Sequence, residues 1–242
     1  GSIVVNDRME TSVPDIYAVG DAVQVKNFVT GEDDLIALAG PANKQGRIAA
    51  DNICGLDSHY HGSQGSSVLK IFDLTAATTG ISEKKARSLG YETDSVVLSP
   101  MSHASYYPGG MVMTMKVVFE KNTYKLLGAQ IIGYDGVDKR IDVLATAIRA
   151  GMKATELKEL DLAYAPPFST AIHPFEHTLN VLLNKMSGVF ETISPAEYAA
   201  GAAEGYKIID TCLKPSIEGA MYVEMTDVEG PIDGLDPEEK LL

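Results

Sequence analysis

Apolar and polar positions change period several times along the chain, and each change marks an element. Residues 13–22 form a short apolar run that ends in Gly20-Asp21, which predicts a buried strand. A helix is predicted over 40–53, with Pro41 at its first position, where a missing N–H is not needed, and Gly55 as its stop. Residues 57–67 are polar and glycine-rich and read as a linker. Strands are predicted over 68–72, 76–80 and 96–98, and Ser82 can cap a short helix that stops at Gly90. Met113, Met115, Val117 and Phe119 alternate onto one face of a further strand, which turns through 121–123 into another over 126–132. Ile141, Leu144, Ala145 and Ile148 then recur at i, i+3, i+4 and i+7, an amphipathic helix over 138–150 closed by Gly151. After Pro166-Pro167, Phe175, Leu179, Leu182, Leu183 and Met186 make the apolar stripe of a helix over 174–187, ended by Gly188.

The last stretch opens on Ser194-Pro195-Ala196-Glu197, a capping box with proline at the first helical position, and continues into a predicted strand over 206–210. About 50 residues are too few for an independent core without help. The mixture predicts an α+β architecture with a largely antiparallel sheet.

Composition narrows the function classes. Of 242 residues 45% are hydrophobic and 22% charged, which excludes long disorder. No apolar run approaches the roughly 20 residues that cross a bilayer, so no membrane span is expected. Lys and Arg number 20 against 33 Asp and Glu, a net charge of −13 spread along the chain, which argues against a nucleic-acid or anionic-membrane partner. Two cysteines, Cys54 and Cys212, cannot build a disulfide framework or a cysteine-rich zinc site, and a reducing cytoplasm fits best. Gly1-Ser2 reads as an expression scar, and the apolar residues close to both ends read as cuts through a longer protein.

Several residues could carry chemistry. A glycine followed by an aspartate after an apolar run lets a ligand approach the backbone and offers an acceptor for polyol hydroxyls; equally, Asp21 could cap the next element. Tyr106 and Tyr164 are either packing residues or hydroxyl donors. Lys44, on the surface of a predicted helix, reads by itself as a solvated charge. His173 and His177 are four apart, but Pro174 between them and the want of a third ligand argue against a metal, and none is expected. His59 and His61 fall in the linker, where solvation is expected, and Cys54, near a helix end, reads as structural.

The string over 11–22, Thr-Ser-Val-Pro-Asp-Ile-Tyr-Ala-Val-Gly-Asp-Ala, resembles the second FAD-binding motif of the pyridine nucleotide-disulfide oxidoreductases. Residues 72–80, 102–109, 136–143 and 162–169 resemble the dimerisation domain of coenzyme A-disulfide reductases and related NADH oxidases, and 188–242 resemble the first half of a rhodanese domain. The resemblance implies three parts: the tail of an FAD-binding domain over 1–63, a dimerisation domain over 64–187, and the N-terminal half of a rhodanese-like α/β unit over 188–242. It implies that Val19, Gly20, Asp21 and Ala22 contact FAD, with Asp21 on the ribityl chain, and that Lys44 touches substrate. It implies that Tyr106 and Tyr164 reach the partner subunit's active site in a homodimer.

The string departs from the family at Ala171-Ile172-His173-Pro174, where Ile172 stands in place of a lysine expected to hold coenzyme A. His173-Pro174 is similar to the His-Pro of glutathione and lipoamide reductases, whose histidine is an acid–base, although Thr178 replaces its glutamate. No Gly-x-Gly-x-x-Gly is present for FAD or NAD(P)H, so retention of FAD by this chain is not expected. The family's redox cysteine is expected upstream and the rhodanese nucleophile beyond Leu242, which leaves this chain alone without hydride-transfer activity. Three readings stay open: part of an NAD(P)H:disulfide or persulfide reductase acting on a small thiol, part of an oxygen-reducing NADH oxidase, or a non-catalytic dimeric scaffold.

Overall fold

A computed structural model describes residues 1–189, 191–212, 214–225, 230–236 and 240–242. The chain divides into two units, Gly1–Phe190 and Glu191–Leu242.

The first unit begins with a small sheet, in which β1 (Ile3–Val4) pairs parallel to β2 (Val23–Lys26) and β2 pairs antiparallel to β3 (Asp33–Asp34). The buried strand expected over 13–22 does not form. Asp15 takes φ 65°, Glu10 bridges to Tyr17, and Val13, Ile16 and Val19 are exposed. Proline at 14 removes a ladder donor and the left-handed Asp15 folds the run back on itself, so no ladder can grow. The buried strand lies one step later, where Val23 and Val25 alternate inward in β2.

Helix α1 (Ala39–Ile53) places Pro41 third rather than first, still within the turn whose N–H groups have no carbonyl to meet. The expected linker over 57–67 is tied down instead: Ser58 bonds Asn52 and Asp51, Tyr60 bonds Asp7, and Ser63 exchanges backbone hydrogen bonds with Lys26 and Phe28. His59 is bridged by Asp7 (2.9 Å) and Asp57 (3.2 Å), and its hydrogen bond to Asp7 raises its pKa.

Five antiparallel strands follow in the order β4 (Ser67–Ile71), β5 (Leu74–Gly80), β8 (Leu126–Gly133), β7 (Met113–Glu120) and β6 (Thr93–Leu98). Helix α2 (Glu83–Ser88) is capped by the Ser82 side chain, as the sequence predicts. Helix α3 (Val137–Ala150) packs on β5 and β8; after the single turn α4 (Ala154–Leu157), helix α5 (Pro174–Met186) packs on β6 and β7. Met113, Met115, Val117 and Phe119 all point into this core with Ile141, Leu144, Phe175, Leu179 and Leu182. Val118 alternates onto the other face, where it is buried with Ile81, Ala86 and Leu127, and a bulge opposite Val118/Phe119 leaves Leu127 as the unpaired residue of β8. Most of that second face stays open, a shallow hollow of about 430 Å³ that includes Leu69, Ala76, Thr114 and Ile132.

The second unit holds α6 (Pro195–Ala199), with Ser194 and Glu197 closing the predicted capping box, and a parallel pair β9 (Ile209–Asp210) and β10 (Met221–Tyr222). The strand predicted over 206–210 is thus only two residues long, extended by a bridge from Lys207 to Leu241. The Asp210 carboxylate accepts the N–H groups of Ser216, Cys212 and Ile217, which hold it below the usual carboxylate range. Cys54 and Cys212 are both free and exposed, so Cys54 has no packing role in the core. Among the described residues no helix is long and apolar enough to cross a membrane, and no cluster of three metal-ligating side chains occurs.

Candidate functional site

Tyr106 and Tyr164 are 58 residues apart in sequence, yet their hydroxyls meet at 3.3 Å. Tyr106 stands on the loop between β6 and β7, and Tyr164 on the loop between α4 and α5. Both rings face solvent, at 76% and 46% exposure. The loops beneath them are fastened. The Ala104 N–H donates to Pro166 O (3.3 Å) and Ser169 O (3.1 Å), and Ser102 and Met111 pair across the neck of the first loop. Gly110 lets the chain pass close to His103 and Met101, since a Cβ there would lie 3.2 Å from each side chain. His103 in turn meets the Tyr107 ring edge-on at 5.7 Å.

A hydroxyl pair of this kind has one proton committed inward and one left to offer. If Tyr106 donates to Tyr164, the Tyr164 proton points to an incoming acceptor, or the reverse. The Tyr164 phenol is raised in pKa, first by its hydrogen bond with Tyr106, so it stays protonated and able to donate at neutral pH.

His173 is buried, 4% exposed, as the N-cap of α5. Its Nδ1 accepts the Phe175 backbone N–H and the His173 backbone N–H donates to the Glu176 carboxylate, which closes a capping box. The ring meets Phe175 edge-on at 4.7 Å, and Nε2 is buried without a hydrogen-bond partner among the described residues. Burial first, then the charges of Arg140 and Lys139, push its pKa down to about 4. Thr178 bonds Pro174 O and the Met115 sulfur, which places it in the core rather than as an orienting partner for a catalytic histidine. Ile172 is exposed.

Gly20 opens a short 3-10 turn (Gly20–Ala22) at φ 82°, a conformation that glycine adopts freely, and its N–H donates to the buried Gln45 of α1 at 2.7 Å. Asp21 is exposed, and its carboxylate takes no hydrogen bond from a described residue, so it is free to accept from a polyol. Lys44 is exposed on α1 and lines a groove of about 1030 Å³ with Arg47, His61, Gln64, Asp142 and Arg149.

One residue that the sequence reading passed over joins the two loops that carry the tyrosines. Arg140 is 1% exposed and donates to Gly136 O (3.0 Å), Ser102 O (2.6 Å) and Phe168 O (3.1 Å). Its signal was present: with Leu144, Ala147 and Ile148 it sits at i, i+4, i+7 and i+8, a charge on the core face of an amphipathic helix.

Residues 66–174 match the pyridine nucleotide-disulphide oxidoreductase dimerisation domain. The chain is 36% identical over 174 residues, 72% of its own length, to the NAD(P)H coenzyme A polysulfide/persulfide reductase of Pyrococcus horikoshii. It superposes on the NAD-dependent persulfide reductase of A. fulgidus with a TM-score of 0.91 at 35% identity, over 100% of this chain. With the reduced CoADR-RHD of Bacillus anthracis the TM-score is 0.86 at 42% identity, over 93% of this chain. The match spans only 39%, 44% and 42% of those three proteins. Residues 66–174 are thus a pyridine nucleotide-disulphide oxidoreductase dimerisation domain.

Proposed function

We propose that this chain is the dimerisation part of a FAD-dependent NAD(P)H:disulfide or persulfide reductase, and that Tyr106 and Tyr164 assist S–S cleavage in the partner subunit's active site. The observation that carries this is the pair of exposed hydroxyls at 3.3 Å. When the S–S bond of a small disulfide or persulfide breaks, negative charge collects on the departing sulfur. A neutral phenol that donates to that thiolate lowers the barrier without needing to give up its proton.

The remaining residues take supporting roles. Asp21, exposed and unengaged, would accept hydrogen bonds from the ribityl hydroxyls of FAD, with Val19, Gly20 and Ala22 beside it. Bound FAD supplies the electrons, taken from NAD(P)H, that end on sulfur. Lys44 would meet the anionic part of the substrate at its groove. His173, buried with its pKa near 4, is neutral at pH 7 and caps α5; an acid–base needs a pKa near the working pH. Residues 188–242 would be the N-terminal half of a rhodanese-like unit, which in the full-length protein would pass sulfane sulfur to or from the reductase. The open sheet face with Leu69 and Ile132 supports self-association as a homodimer.

Tyr106→Phe and Tyr164→Phe in the full-length protein test the reading. Each should slow disulfide or persulfide cleavage while flavin reduction by NAD(P)H keeps its rate. Parental cleavage rates in both variants would remove the tyrosines from the mechanism.

A further inference from the structure

We propose that Arg140 is a positioning residue that holds the two tyrosine-bearing loops in register. It is the largest fully buried side chain of the first unit, yet among the described residues no carboxylate is bonded to its guanidinium. Burial lowers its pKa, partly offset by Asp135 and Asp138. A buried cation without a bonded counter-charge is costly, and a methionine of similar length would fill the space at less cost. The cation is spent on geometry. Nη2 donates to Ser102 O on the loop that carries Tyr106 and to Phe168 O on the loop that carries Tyr164, while Nη1 anchors the group to Gly136 O at the start of α3. A planar fork can join three carbonyls at fixed angles, which a lysine ammonium cannot reproduce.

Gly136 is shaped to this arrangement. It takes φ 66°, and a Cβ there would fall 1.8 Å from Nη1 of Arg140. The side chain it would strike is locked by its three bonds, so the guanidinium would have to leave them.

The inference rests on the reading of Tyr106 and Tyr164 as a working pair, and the experiment separates the two. With tyrosines 13C-labelled at Cζ, Tyr106→Phe in the parental protein should shift the Tyr164 resonance and lower its titration midpoint. In Arg140→Lys, and independently in Gly136→Ala, the same substitution should leave Tyr164 unmoved, because the hydroxyls no longer meet. A residue that only stabilised the fold would leave the pair coupled in the folded molecules. Should either variant fail to fold, hydrogen exchange of the Arg140 Nη–H groups in the parental protein decides: protection supports the clamp and free exchange overturns it. In the full-length reductase, Arg140→Lys should slow cleavage about 100-fold, the scale of an ångström-sized misplacement. The double variant with Tyr106→Phe should be no slower than about twofold below the slower single variant. Coupled tyrosines in both Arg140→Lys and Gly136→Ala, or independent additive losses of rate, would overturn the positioning role. Loss of coupling with unchanged cleavage in Tyr106→Phe would instead remove the catalytic reading and leave the clamp standing.

Discussion

Replacing His173 by Asn should flatten the pH dependence of stability on the acid side. Asparagine keeps an N-cap acceptor for the Phe175 N–H but does not titrate. In the folded protein the ring holds out as a neutral base down to about 4, against an ordinary value of 6.5 once unfolded. Between those two values the unfolded chain binds the proton and the folded one does not, so stability rises with pH across this window and falls as pH drops through it. From pH 7 to pH 5 the loss assigned to this one residue is about 2 kcal/mol, and it approaches its limit near pH 4. The substitution also removes the edge-on contact with Phe175, a cost that does not vary with pH, so the slope is the quantity to read. Urea unfolding of both proteins at pH 7, 6 and 5 gives that slope. The parental protein should lose about 2 kcal/mol more than His173→Asn over the interval. Equal slopes would mean that His173 titrates normally in the folded state and that its buried Nε2 is reached by water. It would then become eligible as an acid–base near neutrality.

Two further outcomes follow from the packing and the open face. Gly128→Ala should cost about 3 kcal/mol or more in thermal unfolding, because a Cβ there would lie 2.1 Å from the Ile81 carbonyl oxygen, which is backbone and cannot step aside; an unchanged Tm would refute this. The 25.9 kDa chain should self-associate in multi-angle light scattering, and a monomer mass at high concentration would count against the homodimer.

Much of the scaffold was legible because burial leaves a period. The alternation of Met113, Met115, Val117 and Phe119, the stripe of α5, and Ile141, Leu144 and Ile148 of α3 face one core, as their spacing implies, whereas Ala145 lines the groove beside Lys44 and Ala147 takes its place in the core. What failed was the inference from apolarity to burial over 13–22, where Pro14 and Asp15 bend a run of apolar side chains that then stay exposed. The polar stretch over 57–67 misled in the opposite sense. Its side chains and backbone are spent on hydrogen bonds to Asn52, Asp7, Lys26 and Thr79, which no periodicity announces. The site was legible only through the family strings, since two loops separated by 58 residues share no local pattern.

The exposure of the tyrosine pair sets how large its effect can be. A phenol open to water donates to water, and one such hydrogen bond contributes only about 1 kcal/mol net. The same donor in a site from which water is excluded is worth about 2.7–4 kcal/mol toward a developing anion, or about 100- to 1,000-fold in rate. At 76% and 46% exposure Tyr106 and Tyr164 have the first value on this surface and reach the second only when another surface covers them. A partner subunit that brings its sulfur centre onto the two hydroxyls would do so. In this chain alone, therefore, Tyr106→Phe and Tyr164→Phe should change thermal stability by no more than about 0.5 kcal/mol, the ordinary range for a surface substitution. In the assembled full-length protein the same substitutions should slow S–S cleavage by about 100-fold or more. A large stability loss in the isolated chain would mean that the hydroxyl pair is a structural latch between the loops. A loss of rate below about threefold in the assembled protein would mean that the pair remains in water when the partner is bound.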